Sequence, residues 1–263
     1  MSQKVTNAIK TQAFVNFYAA IGTLEKFVEL DEWAKQQVAN INLSIWFNVS
    51  DGPDGLLTFE DGRVNATEYL PGVSKKPKIR LYCKSPANFN DVIAKKAMPI
   101  PLKGLFQTLK FMGKPDSTFS VLTDEMESIM RNGKRLDGTD EAELGTKLAF
   151  YCMAAALAQI GNHERLGKLA GERMHDGEIS IEIKDVAAAT IIKADGKLSC
   201  KLAKAENPRA FMIFDSLDTA SKLINSEIDA MSCLASGQLT MKGFIPMLDD
   251  LNKILNIVPK YLR

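Results

Sequence analysis

The strongest constraint on this chain is that it repeats itself. Ile45-Trp46-Phe47-Asn48-Val49-Ser50-Asp51, followed by Asp61-Gly62-Arg63-Val64, returns 134 residues later as Ile179-Ser180-Ile181-Glu182-Ile183-Lys184-Asp185 and Asp195-Gly196-Lys197-Leu198. A third block, Pro77-Lys78-Ile79-Arg80-Leu81-Tyr82, matches Pro208-Arg209-Ala210-Phe211-Met212-Ile213 at an offset of 131. A fourth, Met98 to Leu105, matches Gly237 to Phe244 at 139. Four blocks in one order predict two copies of one domain, and the period is far too long for a solenoid. Each copy has about 130 residues, enough to enclose a core of its own. The expected division is residues 1–130, a linker at 131–140 rich in Gly and turn formers (Arg131-Asn132-Gly133-Lys134-Arg135-Leu136-Asp137-Gly138-Thr139-Asp140), and residues 141–263.

Within each copy the hydrophobic period changes from about 3.6 to 2. Helices are predicted over Val5–Gly22 and Thr23–Asn40. Strands follow at Ile45–Val49, Leu56–Phe59, Arg63–Leu70 and Pro77–Cys83, then a helix Phe89–Lys96 capped by Ser85 or Asn88. Pro99 and Pro101 rule out a central strand before Lys103-Gly104, and Leu105–Met112 reads as an apolar helix. The second copy replays this order: helices at Thr146–Ile160 and Glu164–Met174, then strands at Glu178–Ile183, Ala188–Lys193, Lys197–Leu202 and Arg209–Phe214. A helix Asp218–Asn225, a strand Gly237–Lys242 and a helix Ile245–Val258 complete it. The expected fold class is α+β: two similar domains, each a roughly five-stranded, mostly antiparallel sheet covered on one face by helices.

Catalytic ingredients are scarce. There are two histidines, His163 and His175, and no Gly-x-Ser-x-Gly elbow, P-loop, Gly-x-Gly-x-x-Gly or His-Glu-x-x-His. A histidine working with Glu164 or Asp176 is the minor, catalytic reading. No Cys/His spacing suits a metal. The adjacent Asp249-Asp250 pair points about 100° apart on a helix, and Asp124, Glu125 and Glu127 read as a solvated helix face. Neither a metal nor another cofactor is expected. A net charge of +1 gives no global attraction to nucleic acid. No run of about 18 apolar residues and no secretory leader is evident. With four scattered cysteines (Cys83, Cys152, Cys200, Cys233), a cytoplasmic protein with reduced thiols is the expectation.

Flexible apolar surface is over-supplied at the end of each copy. Met231, Leu234, Leu239, Met241, Phe244, Met247, Leu248, Leu251, Ile254 and Leu255 crowd the end of the second; Leu102, Leu105, Phe106, Leu109 and Met112 are the shorter match in the first. Such stripes most often pack a core. Methionine enrichment also suits an adaptable binding wall.

The run Leu234-Ala235-Ser236-Gly237-Gln238-Leu239-Thr240-Met241-Lys242-Gly243-Phe244, followed by an apolar helix, resembles the closing segment of the sterol carrier protein 2 family. The strand, polar turn and helix before it, and the Asp195-Gly196 hairpin, are similar too. The resemblance covers about Leu148–Leu255 well and about Leu24–Met112 more weakly. It implies an apolar tunnel between sheet and helices that holds a fatty acid, fatty-acyl-CoA or sterol-like ligand, without catalysis. The walls it implies are Phe211, Ile213, Leu223, Met231, Leu234, Met241, Phe244, Met247, Leu248 and Leu251. In the first copy Trp46, Phe47, Phe59 and Phe106 carry enough ring volume to fill the tunnel. Expected partners are the apolar ligand, and a transient membrane surface or enzyme. The alternative reading is an interaction or scaffold protein with filled cores that partners an acyl-metabolising enzyme.

Overall fold

A computed structural model describes residues 6–132, 140–225 and 227–262. The chain divides into two compact units between Ser128 and Ile129. Most of the expected linker, residues 133–139, lies outside the described residues.

The first unit runs α1 (Asn7–Val15), extended by a π-helical turn Asn16–Ile21, then α2 (Leu24–Leu30), α3 (Glu32–Val38), β1 (Leu43–Val49), β2 (Asp54–Glu60), β3 (Arg63–Glu68), β4 (Ile79–Cys83), α4 (Pro86–Ile93), β5 (Ile100–Lys103), α5 (Leu105–Met112) and α6 (Thr118–Asn132). The helix predicted over Thr23–Asn40 is broken in two. Asp31 leaves the helical conformation and its carboxylate accepts from the Ala34 amide, capping α3. Ser85 caps α4 by accepting from the Asn88 amide. The second unit runs α7 (Asp140–His163), α8 (Arg165–Arg173), β6 (Gly177–Ile183), β7 (Ala187–Ala194), β8 (Lys197–Lys201), β9 (Pro208–Phe214), α9 (Leu217–Ile224), α10 (Ala230–Ser236), β10 (Leu239–Gly243) and α11 (Ile245–Leu255).

Each unit has one five-stranded sheet, ordered β3-β2-β1-β4-β5 and β8-β7-β6-β9-β10. The order is the same in both. The central pairs β1·β4 and β6·β9 are parallel and the remaining pairs antiparallel, so the sheets are mixed. The registers also correspond. Ile45 sits beside Ile79, and Ile179 beside Ala210; Arg80 sits beside Lys103, and Phe211 beside Lys242. Positions equivalent in the sheets are therefore separated by the same 134, 131 and 139 residues as the sequence blocks. The tight hairpins agree as well, with positive φ at Asp61-Gly62 and at Asp195-Gly196. The predicted objection to a central strand at Pro101 holds: β5 is an edge strand, and its register slips by one residue at Leu102.

Phenylalanine fills the first core. Phe17, Phe27, Phe47, Phe59 and Phe89 are fully buried, and the Phe47 ring lies 5.5 Å from Phe17 and 6.1 Å from Phe89. The second core is mainly aliphatic along the sheet, with Ile179, Ile181, Ile191 and Met212 enclosed beside the ring of Phe214. α7 is long and apolar enough by composition to cross a membrane, contrary to the expectation from the sequence. It is nonetheless 72% buried, as the central helix of its unit, against α8, α9, β7 and β8. Its small residues Ala154, Ala156 and Ala158 allow close approach. Each large apolar side chain enclosed in this way contributes roughly 1.5–3 kcal/mol.

Candidate apolar ligand site

The resemblance directs attention to the seam where β10 turns into α11. Gly243 makes that corner, at φ 95°. A Cβ there would stand 2.4 Å from the Arg209 carbonyl oxygen, so only glycine lets the strand end this close to β9. Phe244 then donates its amide to the same carbonyl at 2.9 Å. Pro246 opens α11, where no amide partner is needed.

The ten predicted wall residues do not share one surface. β10 pairs with β9 so that Leu239 lies beside Phe214 and Met241 beside Met212, on the side the helices cover. Met247, Leu248 and Leu251 are fully enclosed beneath α11, which packs on α8, α7 and β9. Met241, Leu234 and Phe244 are half-buried at the margin, Met231 on α10 is exposed, and Leu223 on α9 is half-buried. Phe211 and Ile213 correct the expectation: they project to the opposite face of the sheet, beside Lys242 and Thr240. The β9 residues turned to the helices are Ala210, Met212 and Phe214. The period-two alternation carried that information, but both phases of β9 are apolar and the bulkier phase was the wrong one.

The margin of the seam is cationic and aromatic. The Arg209 guanidinium lies 4.7 Å over the Phe244 ring and donates to the Asp176 carbonyl at 2.6 Å. The His175 ring meets the same phenyl edge-on at 5.0 Å; the Lys242 ammonium belongs to the opposite sheet face, 4.9 Å over Phe211. Glu164, the neighbour considered for a histidine, spends its carboxylate on the Leu166 and Gly167 amides, capping α8. Asp250 is nearly buried between Lys253 and Arg173, while Asp249 is exposed and pairs with Lys253. The described residues contain no group of three or more metal-binding side chains. Cys83, Cys152 and Cys233 are buried free thiols, and Cys200 is half-buried.

A hollow of about 360 Å³ opens elsewhere on this unit, between α8 and α11, lined by Leu166, Leu169, Ala170, Arg173, Lys253 and Ile257 among others. None of the ten predicted residues lines it. In the first unit, the four rings expected to fill a tunnel also divide. Phe47 and Phe59 are in the core, whereas Phe106 is exposed on α5. Trp46 lies on the other sheet face, stacked between Tyr69 at 4.1 Å and the Arg80 guanidinium at 4.1 Å. Its indole N–H donates to Asp54 at 2.8 Å.

No protein-family model matches this chain, and no curated protein sequence matches it. Among solved structures it is similar to a protein described as the UbiJ-SCP2 ubiquinone synthesis protein, at 13% identity and a TM-score of 0.32, over 40% of this chain and 91% of that one. It is also similar to the stereoselective inverting sec-alkylsulfatase Pisa1 from Pseudomonas sp., at 10% identity and a TM-score of 0.26, over 65% of this chain and 36% of that one. This chain thus spans about a third of the sulfatase's length.

Proposed function

We propose that this protein is a non-catalytic lipid carrier built as a tandem duplication of a sterol-carrier-like domain, and that the second unit holds the ligand. The observation that carries this reading is the continuity of the β10–α11 seam. Apolar side chains run from enclosed Met247, Leu248 and Leu251, through half-buried Met241, Leu234 and Phe244, to exposed Met231 and Ile245. An acyl chain entering at Met231 meets apolar atoms along its whole path. Three of the wall side chains are unbranched thioethers that change shape at little cost. Arg209, over the Phe244 ring at the margin, suits an anionic headgroup, which favours a fatty acid or fatty-acyl-CoA over a sterol. The common strand order and matched registers support the duplication. Free thiols and the carrier reading together favour a cytoplasmic setting.

A second reading applies to the first unit alone. Its core is closed by Phe17, Phe47, Phe59 and Phe89, which favours an interaction role there. The test is native mass spectrometry of the purified full chain, followed by organic extraction. One bound acyl lipid per chain is expected, lost on Met241→Glu, a half-buried position that tolerates the charge. Leu251→Arg is a poor probe, because Leu251 is fully buried and the change unfolds the unit. Lipid-free protein that also ignores a fluorescent fatty acid overturns the carrier reading.

A further inference from the structure

The first unit carries a surface that lipid carriage does not explain. Between Asp91 and Asp116 the chain has no acidic residue, yet it has Lys95, Lys96, Lys103, Lys110 and Lys114. The same stretch holds six large apolar residues that are exposed: Met98, Ile100, Leu102, Leu105, Phe106 and Leu109. Phe106 is 83% exposed and Met98 74%. The geometry of α5 enforces this. Thr108 and Phe111 face inward, with the Phe111 ring 5.0 Å from that of Phe59, so positions 105, 106 and 109 turn to solvent. Lys95 pairs with Asp124, and Lys103 donates to the Pro77 carbonyl at 2.6 Å. Lys96, Lys110 and Lys114 are exposed and have no acidic partner among the described residues. The corresponding stretch of the second unit, residues 231–254, sets Lys242 and Lys253 against Asp249 and Asp250, with Asp249 standing where the first unit has Lys110.

We propose that this face docks on an anionic lipid bilayer. Phe106, Leu105, Leu109 and their β5 neighbours enter the boundary between headgroups and acyl chains, and the lysines lie among the lipid phosphates, with their aliphatic stems along the apolar side chains. An exposed apolar cluster of this kind requires a cover. A second copy of the chain is a poor one, because a two-fold contact sets the same uncompensated lysines against their own images. Nucleic acid would leave the aliphatic side chains unburied, since its recognition uses stacked aromatic rings. The proposal stands apart from the lipid-carrying seam, and Met241→Glu leaves it intact.

The test is flotation of the full-length protein with phosphatidylcholine–phosphatidylglycerol vesicles and with pure phosphatidylcholine vesicles. Binding to the mixed vesicles is expected, falling with salt. Neutralising each lysine weakens it about fivefold, so Lys96→Gln, Lys110→Gln and Lys114→Gln together lower it about a hundredfold. The Phe106→Glu, Leu109→Glu pair abolishes it; all five positions are exposed, and circular dichroism confirms that the fold is retained. Failure to bind mixed vesicles, binding that both variants leave unchanged, or equal binding to both vesicle types overturns the proposal. So does a homodimer or a complex with an acidic protein that Phe106→Glu dissociates while vesicles are ignored.

Discussion

Gly243→Ala tests the corner on which the proposed lipid site depends. The residue has φ 95°, and an added Cβ would lie 2.4 Å from the Arg209 carbonyl oxygen and 3.0 Å from the Ala210 Cα. Both neighbours are backbone atoms, so no rotamer change relieves the overlap. Gly196 provides the control, with φ 75° and no atom within 4 Å of the added carbon. Alanine at Gly196 bears the left-handed penalty alone, about 1–2 kcal/mol. At Gly243 it bears that penalty and the displacement of β10 from β9, about 1–3 kcal/mol more. The first unit repeats the experiment: Gly104 has φ 76° and would place a Cβ 2.6 Å from the Lys78 carbonyl oxygen, whereas Gly62 has φ 69° and its nearest neighbour is at 3.9 Å. Urea unfolding followed by circular dichroism reads the Gly243 and Gly196 pair. Fluorescence reads the Gly104 and Gly62 pair, because Trp33 and Trp46 both belong to the first unit. Gly243→Ala is expected to cost about 1–3 kcal/mol more than Gly196→Ala, and Gly104→Ala to exceed Gly62→Ala likewise. Equal losses within each pair would refute the close-approach argument.

Two further outcomes are expected. Glu164→Ala leaves the Leu166 and Gly167 amides, now 2.6 and 2.8 Å from its carboxylate, without a partner at a buried helix start; thermal melting should show a loss of about 1–2 kcal/mol, and an unchanged melting curve excludes the capping role. Burial pushes the Cys83 thiol up to about 11, favouring its neutral form in the folded state. Its contribution is therefore complete below the ordinary thiol range near 8.5 and is lost as pH rises toward about 11. Burial, and then the Glu68 and Asp54 carboxylates, also raise the Tyr18 hydroxyl, which extends the loss to higher pH. Urea midpoints by tryptophan fluorescence should fall over that range, less steeply in Cys83→Ala, and parallel slopes would count against the assignment.

The repeat made much of this architecture legible because residue offsets survive where identities do not. Strand pairing fixes which residues stand side by side, so a block displaced by 131 or 139 residues keeps its register only if the intervening loop absorbs the change. The difference falls between β4 and β5, where the second unit inserts α10 before its edge strand. One cap was legible too, since Ser85 accepts from the amide three residues on. Other features were not. α10 is too short and irregular in its apolar spacing to announce itself, and Met231 and Leu234 were read as wall residues without the helix that carries them. The break at Asp31 needed the knowledge that its carboxylate prefers the Ala34 amide to continuing the helix. The phase of β9 was hidden because Phe211 and Ile213 are as apolar as the residues that do face the helices. The exposed cluster on α5 was read as the shorter copy of a core stripe, and only burial of Thr108 and Phe111 shows which side of the helix faces inward.

Equivalent positions in the two units argue that their roles have separated. The shared offsets place Phe47 with Ile181, Phe59 with Lys193 and Phe89 with Ala220. Three rings that close the first core are thus absent from the second. Lys193 even brings an ammonium inside, stopped at 2.6 Å by the Gly171 carbonyl. Ring volume is the cheapest way to close a cavity between a sheet and its helices, and the second unit lines that layer mostly with Ile, Ala and Met, keeping the rings of Phe150 and Phe214. Charge moves the opposite way: the uncompensated lysines lie beside the edge strand of the ring-filled unit, and in the corresponding stretch of the other Lys242 and Lys253 are balanced by Asp249 and Asp250. On the proposed carrier reading, a closed core with a basic edge serves to reach a membrane, and an adaptable core with a balanced edge serves to take up what is found there. Exchanging Lys96, Lys110 and Lys114 for glutamine should therefore slow transfer of a fluorescent fatty acid from anionic vesicles while leaving its equilibrium affinity in solution unchanged. A fall in that affinity would mean that the first unit helps to hold the ligand, and the division of roles would have to be abandoned.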